Sequence, residues 1–325
     1  MQTYLDSLVN DGAAGVLLHY AAPGTTWIGS SGVAELGLDR PVDPDGWFRA
    51  GSITKTFTAV VVLQLVGEGR LTLDEPVTEW LPDLPKSISL RQLLNHTSGL
   101  YNYTDDLTEP EEIVQDRYLH WDPADTLRAG LAKPRLFEPG ASWSYSNTNY
   151  IALGLLIEAL TGSAYGDEVA RRILRPLGLE RTVLPGDEVE LPEPHAHGYW
   201  PVDGEPVDLA RFNASQAWAA GEIVSTAADL NRFYAAVLGG KLLADAELEA
   251  MQTVVATDDS FGYGLGIERR TLAGGRVVWG HTGGIFGYLT LSYHSDELQL
   301  TLSYTGTRTE SPETAELLGG LLNDN

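Results

Sequence analysis

The residues Ala59-Val60-Val61-Val62-Leu63-Gln64-Leu65-Val66 are apolar on every side of a helix except at Gln64, and no other stretch constrains the fold as much. A helix without a polar face has to be enclosed all round. Lys55 to Gly67 is therefore predicted as a buried central helix about which the 325-residue chain builds its core. With 43% hydrophobic and 20% charged residues the material for that core is present, and wholesale disorder is excluded.

Both ends of the sequence read as strands. Thr3 to Asn10 predicts a short helix, followed by strands at Ala14 to Tyr20 and Thr25 to Val33, broken by Pro23-Gly24 in a hairpin signal. Gly264 to Leu272, Arg276 to Gly280, Gly287 to Tyr293 and Leu298 to Tyr304 are short runs rich in Val, Leu, Tyr, Trp and Thr, ahead of a helix near Pro312 to Leu322. Between the two ends helical periodicity recurs at Ser89 to Leu94, Pro110 to Asp116, Ala124 to Leu131, Asn149 to Leu160, Asp167 to Ile173, Thr226 to Leu238 and Ala244 to Thr253. The pattern predicts an α/β (α+β) architecture. One antiparallel sheet with flanking helices is assembled from residues 1–70 and 255–325, and a mostly helical region at 71–254 is inserted between them.

Charge and composition narrow the chemistry. Lys and Arg number 21 against 45 Asp and Glu, a formal charge of -24 that repels nucleic-acid phosphates, so no nucleic-acid partner is expected. With no cysteine, a thiolate nucleophile and zinc-thiolate sites are excluded, and chemistry must come from oxygen and nitrogen groups. No apolar run reaches the roughly 20 residues of a membrane span. Met1 to Asp39 holds no Lys or Arg and so lacks the basic region of a secretory signal; the chain reads as soluble, cytoplasmic or already trimmed from an exported precursor.

Three short segments carry candidate chemistry. Ser52-Ile53-Thr54-Lys55 opens the buried helix, and a spacing of three residues puts hydroxyl and amine on one face, where they can exchange a proton. Burial and the positive potential of the helix start both penalise the ammonium, which suits Lys55 to act as a base. Alone, the pair also fits a capping Ser and a snorkelling Lys, although a Lys on an otherwise apolar helix needs a reason. Tyr145-Ser146-Asn147 lies between the loop at Pro139-Gly140 and a helix, able to project a phenol and an amide into a cleft or to serve as core aromatic and cap. Gly280-His281-Thr282-Gly283-Gly284 falls at a predicted strand end, where a lone His is more often structural.

Taken together, and joined in order by Phe48 to Lys55, Asn95 to Leu100, Tyr145 to Tyr150, His195 to Tyr199 and Gly262 to Gly266, these segments resemble the β-lactamase-like serine hydrolases over roughly residues 10 to 305. The likeness is to the class C β-lactamases and, more closely, to the serine D-alanyl-D-alanine carboxypeptidases. It implies a β-lactamase/transpeptidase-like fold and acyl transfer through an ester, with neither metal nor organic cofactor. It implies Ser52 as nucleophile, Lys55 and Tyr145 as sharing proton transfer, and His281 as lending a positive or hydrogen-bonding edge to that pair. Asn147 would hold the substrate amide, and the backbone N–H groups of Ser52 and Gly284 would form the oxyanion hole. Trp218 falls near a cleft-wall aromatic, with core packing as the competing reading. Thr282 is the one retained hydroxyl that would hold a substrate carboxylate, and Glu268, thirteen residues before His281, stands where those carboxypeptidases have an Arg. Either Glu268 faces the cleft, disfavouring free-acid D-alanyl-D-alanine peptides against amides and esters, or it faces solvent and pairs with Arg269 or Arg270.

Two further features carry weaker readings. His195-Ala196-His197 could pass for a metal pair, but two His without a third ligand are usually structural. Asp105-Asp106, Glu109 and Glu111-Glu112 read as a solvated loop that would rim the cleft in the family fold. The expected partner is a small molecule or peptide: a D-amino-acid peptide, an amide or a β-lactam. D-alanyl-D-alanine carboxypeptidase comes first; β-lactamase, esterase or D-aminopeptidase/amidase on the same site is the alternative. A non-catalytic β-lactam-binding scaffold is the reading of another class, against which the buried Lys55 speaks.

Overall fold

The computed structural model describes residues 1–306 and 312–322. The chain opens with α1 (Gln2–Asn10), β1 (Ala13–Ala22), β2 (Thr25–Gly32), β3 (Phe48–Arg49) and α2 (Thr54–Gly67). The middle holds α3 (Leu90–Leu94), α4 (Pro110–Gln115), α5 (Pro123–Leu131), α6 (Asn147–Thr161), α7 (Tyr165–Val169) and α8 (Arg175–Leu177). There follow β4 (Tyr199–Val202), β5 (Glu205–Asp208), α9 (Trp218–Gly221), β6 (Val224–Ser225), α10 (Ala227–Leu238) and α11 (Asp245–Gln252). The last part runs β7 (Val255–Ala256), β8 (Phe261–Tyr263), β9 (Glu268–Thr271), β10 (Val277–Ile285), β11 (Tyr288–Ser295), β12 (Leu298–Gly306) and α12 (Thr314–Leu322).

The main sheet is antiparallel with strand order β2-β1-β12-β11-β10-β9-β8-β7, so the first and last long strands are neighbours. Because side chains alternate across a strand, β1 supplies both faces. Val16, Leu18 and Tyr20 join Leu300, Leu302 and Leu5 of α1 in one core, which Leu317, Leu318 and Leu321 of α12 complete. Leu17 points the other way, into the larger core that holds α2, α6 and α10. In α2 every residue from Thr54 to Leu63 is buried, as an all-apolar surface requires. Gln64, its polar exception, donates to the Leu242 carbonyl at 2.9 Å.

Two strand readings are corrected. The Gly264 to Leu272 run opens in a turn, with Gly266 at φ 74, and holds a strand only at β9, which pairs with β8 before the turn, Tyr263 opposite Glu268. The His281 segment is not a strand end: β10 continues unbroken to Ile285. Its glycines answer close approach. A Cβ at Gly283 would sit 1.8 Å from the Ala50 carbonyl oxygen and 3.1 Å from the Ser52 nitrogen, so β10 lies directly against the turn that precedes α2. The pair β3-β6 and the hairpin β4-β5 lie outside the main sheet and were not expected.

Candidate active site

The 3₁₀ turn Gly51–Ile53 presents Ser52 at the start of α2. Gly51 has φ 54, and a Cβ there would lie 2.9 Å from the Gly284 nitrogen, so only glycine lets the turn and β10 meet. Thr54 fastens the turn: its hydroxyl donates to the Gly51 carbonyl at 2.8 Å and accepts from the Ile223 N–H at 3.0 Å. The result brings the N–H groups of Ser52 and Gly284 to the same edge of the cleft, where Gly284 is exposed with nothing within 4 Å of where its Cβ would be.

Lys55 is fully buried, with Nζ 3.0 Å from Ser52 Oγ, 2.7 Å from Asn147 Oδ1 and 2.7 Å from the Ala220 carbonyl. Burial drives its pKa well below that of an ordinary lysine, Glu268 pulling the other way. Tyr145 lies with its ring 4.8 Å from Lys55 Nζ and its hydroxyl hydrogen-bonded with Ser52; burial pushes the phenol well above its usual pKa, and the Ser52 bond opposes that. Asn147, the first residue of α6, is held from both sides, its N–H donating to Asn102 Oδ1 at 2.9 Å and its Nδ2 to Thr104 Oγ1 at 3.0 Å. Ser52, Asn147 and Gly284 border a cavity of about 200 Å³ walled also by Tyr103, Trp200 and Phe286.

His96 organises the Tyr145 loop. Its backbone is left-handed (φ 64), its carbonyl accepts from the Ser144 N–H at 3.1 Å, and its Nδ1 accepts from the Ser146 N–H at 3.2 Å and Asn149 Nδ2 at 3.0 Å. The imidazole lies 4.3 Å from the Tyr145 ring, centroid to centroid. Asn102, Thr104 and the Ala220 carbonyl left no signal in the sequence, because each acts through a contact between segments far apart in the chain. His96 had been visible only as part of a landmark segment.

Three expected site residues sit differently from expectation. His281 is buried: Nδ1 faces the Thr282 carbonyl at 2.5 Å, and Nε2 is 2.9 Å from the Tyr263 hydroxyl, from which it accepts. Its ring stands 6.4 Å from that of Tyr145, so it gives the Lys55 and Tyr145 pair no hydrogen bond. Trp218 is not a cleft wall. With φ 34 its indole turns inward, against Gly154 of α6 and edge-on to Tyr165 at 5.2 Å, leaving Gln216 and Ala217 to line the cavity. Glu268 faces neither the open cleft nor solvent and is only 4% exposed. Opposite Gly280 in the β9-β10 ladder, it shares a face with Thr282 two residues on and with Arg270 on its own strand. Oε1 accepts from Thr282 Oγ1 at 2.8 Å and the Thr282 N–H at 3.3 Å; Oε2 accepts from Arg270 Nη2 at 3.1 Å and the Tyr293 hydroxyl. Burial pushes this carboxyl up, but His281, Arg270 and the two hydroxyls outweigh it and hold it below the usual range.

The weaker features also resolve. His195 and His197 stack 5.1 Å apart, and His197 pairs with Asp208 at 2.6 Å. Asp106, Glu109 and Glu112 border a second cavity of about 180 Å³ that shares Leu107, Ile113, Gln216 and Phe286 with the first, so the acidic stretch does rim the cleft.

A serine at a helix start, a buried lysine one turn on and a strand edge closing over both, on an antiparallel sheet flanked by helices, are the marks of the β-lactamase-like serine hydrolases. The chain matches the Beta-lactamase family over residues 2–320 and belongs to it. Among solved structures it is similar to a D-stereospecific amidohydrolase from Streptomyces sp., with TM-score 0.92 and 36% identity, covering 100% of this chain and 98% of that one. A D-amino acid amidase from Ochrobactrum anthropi SV3, solved with D-phenylalanine, gives TM-score 0.86 and 29% identity over 100% and 98% of the two chains. A penicillin-binding protein of Bacillus subtilis (strain 168) is 29% identical over 309 residues, 87% of this chain but 66% of that protein. No helix among the described residues is long and apolar enough to cross a membrane.

Proposed function

We propose that the chain is a serine amidohydrolase that cleaves D-amino acid amides and short D-amino-acid peptides through an ester on Ser52. The observation that carries the reading is the set of partners around Lys55. Asn147 Oδ1 and the Ala220 carbonyl can only accept, so a neutral amine donates both its N–H groups to them and keeps its lone pair for the Ser52 hydroxyl at 3.0 Å. Ser52 loses its proton to Lys55 as its Oγ bonds to the substrate carbonyl carbon, and the oxyanion rests on the N–H groups of Ser52 and Gly284. Tyr145 hands its proton to the departing nitrogen as the C–N bond breaks, and the Lys55 ammonium restores it. Water then cleaves the ester, its proton returning through the same pair to Ser52. His281 is a positioning residue in this scheme, held by the hydroxyl of Tyr263, whose ring also stands 6.2 Å from that of Tyr145.

Two observations support amides over the carboxypeptidase reading. The position of a carboxylate-binding cation holds Glu268, and similarity is high to a D-stereospecific amidohydrolase along nearly the full length of both chains. The acidic rim also suits a substrate with a free ammonium. The test is turnover of D-phenylalanine amide, its L enantiomer, a D-alanyl-D-alanine free acid and a chromogenic cephalosporin, by wild type and Ser52→Ala. Faster release from the D-amide than from the other three, lost in Ser52→Ala, is expected. A free acid preferred to the amide returns the reading to a carboxypeptidase, and a preferred cephalosporin returns it to a β-lactamase.

A further inference from the structure

We infer that Glu268 fills, from inside the protein, the corner of the site where a substrate carboxylate would be held, and so restricts the leaving group to neutral or cationic ones. The inference rests on the amidohydrolase reading and names the residue behind its preference. β9 pairs with β10 only as far as Gly280, so beyond it that edge of β10 is free of the β9 ladder, and Gly284 further along borders the cavity. The Thr282 N–H points to this edge, since it reaches Glu268 of β9. In an antiparallel strand N–H groups of residues two apart point the same way, so the Gly284 N–H shares the edge, about 7 Å further along. A carboxylate approaching beside the oxyanion hole would need the Thr282 N–H, the Thr282 hydroxyl and a cation behind them. All three are taken. Glu268 Oε1 accepts from both Thr282 donors, and Arg270 is bound to Oε2.

A hydroxyl has one proton, and that of Thr282 is spent on Glu268. Thr282, half-buried, therefore has only lone pairs left for a further partner, which suit an N–H of a primary amide or an ammonium and oppose a carboxylate. Glu268 works through Thr282 and by occupancy, so it is a specificity-determining residue that takes no part in bond making. Its own charge is compensated by Arg270 and the Tyr293 hydroxyl, so the corner is stable when no substrate is bound.

The experiment compares kcat/KM for D-alanyl-D-alanine with its C-terminal amide, alongside N-acyl-D-alanyl thioesters of thioglycolate and thioglycolamide. The thioester pair acylates a serine even where amide bonds are not cleaved. Failure of both peptides with a working thioester pair therefore overturns the amidase reading and leaves the leaving-group preference measurable. Wild type is expected to prefer the neutral partner in each pair. Glu268→Ala empties the corner while keeping Thr282 and Arg270, and is expected to shift the acid-to-amide ratio at least about tenfold toward the acid, a gain that added formate competes away. Thr282→Val, which does not disturb the Glu268 pair with Arg270, is expected to change the ratio less than about threefold, because its proton was never available to substrate. A wild-type preference for the acid partner, an unmoved ratio in folded Glu268→Ala, or a selective loss of acid turnover above about tenfold in Thr282→Val overturns the inference. If Glu268→Ala does not fold, the wild-type preference and Thr282→Val decide it.

Discussion

A buried amine bounded by two pure acceptors and one hydroxyl has, when neutral, a single arrangement without a wasted bond, and the partners of Lys55 allow it. Since burial lowers the Lys55 pKa and raises that of Tyr145, the two are expected to titrate as a coupled pair. Lys55 carries its proton only below its depressed pKa, so kcat/KM is expected to fall on acidification and to need no strongly alkaline pH. Lys55→Ala and Tyr145→Phe are each expected to lose at least about 100-fold in kcat/KM, and the double variant far less than the product. Independent, multiplicative losses would contradict a shared proton. His96 supports the same tyrosine: His96→Phe keeps an aromatic ring but leaves the Ser146 N–H without an acceptor, and is expected to lower stability by about 1 to 3 kcal/mol and to reduce kcat more than it changes KM. Unfolding midpoints and the kcat-against-KM split check this. Ser52, Lys55, Tyr145 and Asn147 were legible as residue types in short segments, because a turn of helix or a tripeptide keeps its members together. For Glu268 and Trp218 the sequence left two readings open, because their directions are set by strand register and a positive φ, neither of which a linear pattern carries.

Among the elements, the contact between the turn at Gly51–Ile53 and β10 decides whether an oxyanion hole exists. Adding one methyl group at Gly283 places it 1.8 Å from the Ala50 carbonyl oxygen, which forces turn and strand apart. Gly283→Ala is expected to lose about 100- to 1,000-fold in kcat, the scale of one missing oxyanion donor. Gly284→Ala meets no atom within 4 Å, and its unfolding midpoint is expected to match wild type within error. Thermal melts and steady-state kinetics on the two neighbouring variants read the difference, and equal losses of stability would show that this approach does not hold the site. The apolar run of α2 and the terminal strands were legible because period and composition agree over many residues. β3 with β6 and the hairpin β4-β5 were not, since strands of two to four residues leave no period to detect.

On the scale of the whole molecule, charge is expected to act on both substrate approach and pH response. With a formal charge of -24 and an acidic rim, kcat/KM for an amide bearing a free ammonium is expected to fall as salt rises from 10 mM toward about 1 M, where screening shortens to about 3 Å, while its N-acetylated analogue changes little. Parallel salt curves for the two would exclude steering. Glu222, 2% exposed, has its pKa pushed by burial from 4.5 to about 7 despite accepting from the Gly186 N–H. Below pH 4.5 both folded and unfolded chains hold its proton. Between there and about 7 only the folded protein does, so stability falls as pH rises through that window, by up to about 3 kcal/mol. Glu222→Gln is expected to stabilise the protein at pH 8 and hardly at pH 4.5, as denaturant midpoints at the two pH values will read.

The adjacency of β1 and β12 bears on how the molecule comes into being. Thr305 Oγ1 donates to the carbonyl of Gly15, 290 positions earlier in the chain, and the two strands share a ladder from Ala13 to Ala21. During synthesis at about 5 to 20 residues per second, β1 therefore waits with one edge open for tens of seconds after it leaves the ribosome. Only β2 can cover it early. Such an exposed, apolar strand edge invites intermolecular pairing, and closing so long a loop is slow. The ladder that joins the two ends of the chain is thus among the last to be sealed, and a nascent chain halted before β12 presents the surface that a holding chaperone binds.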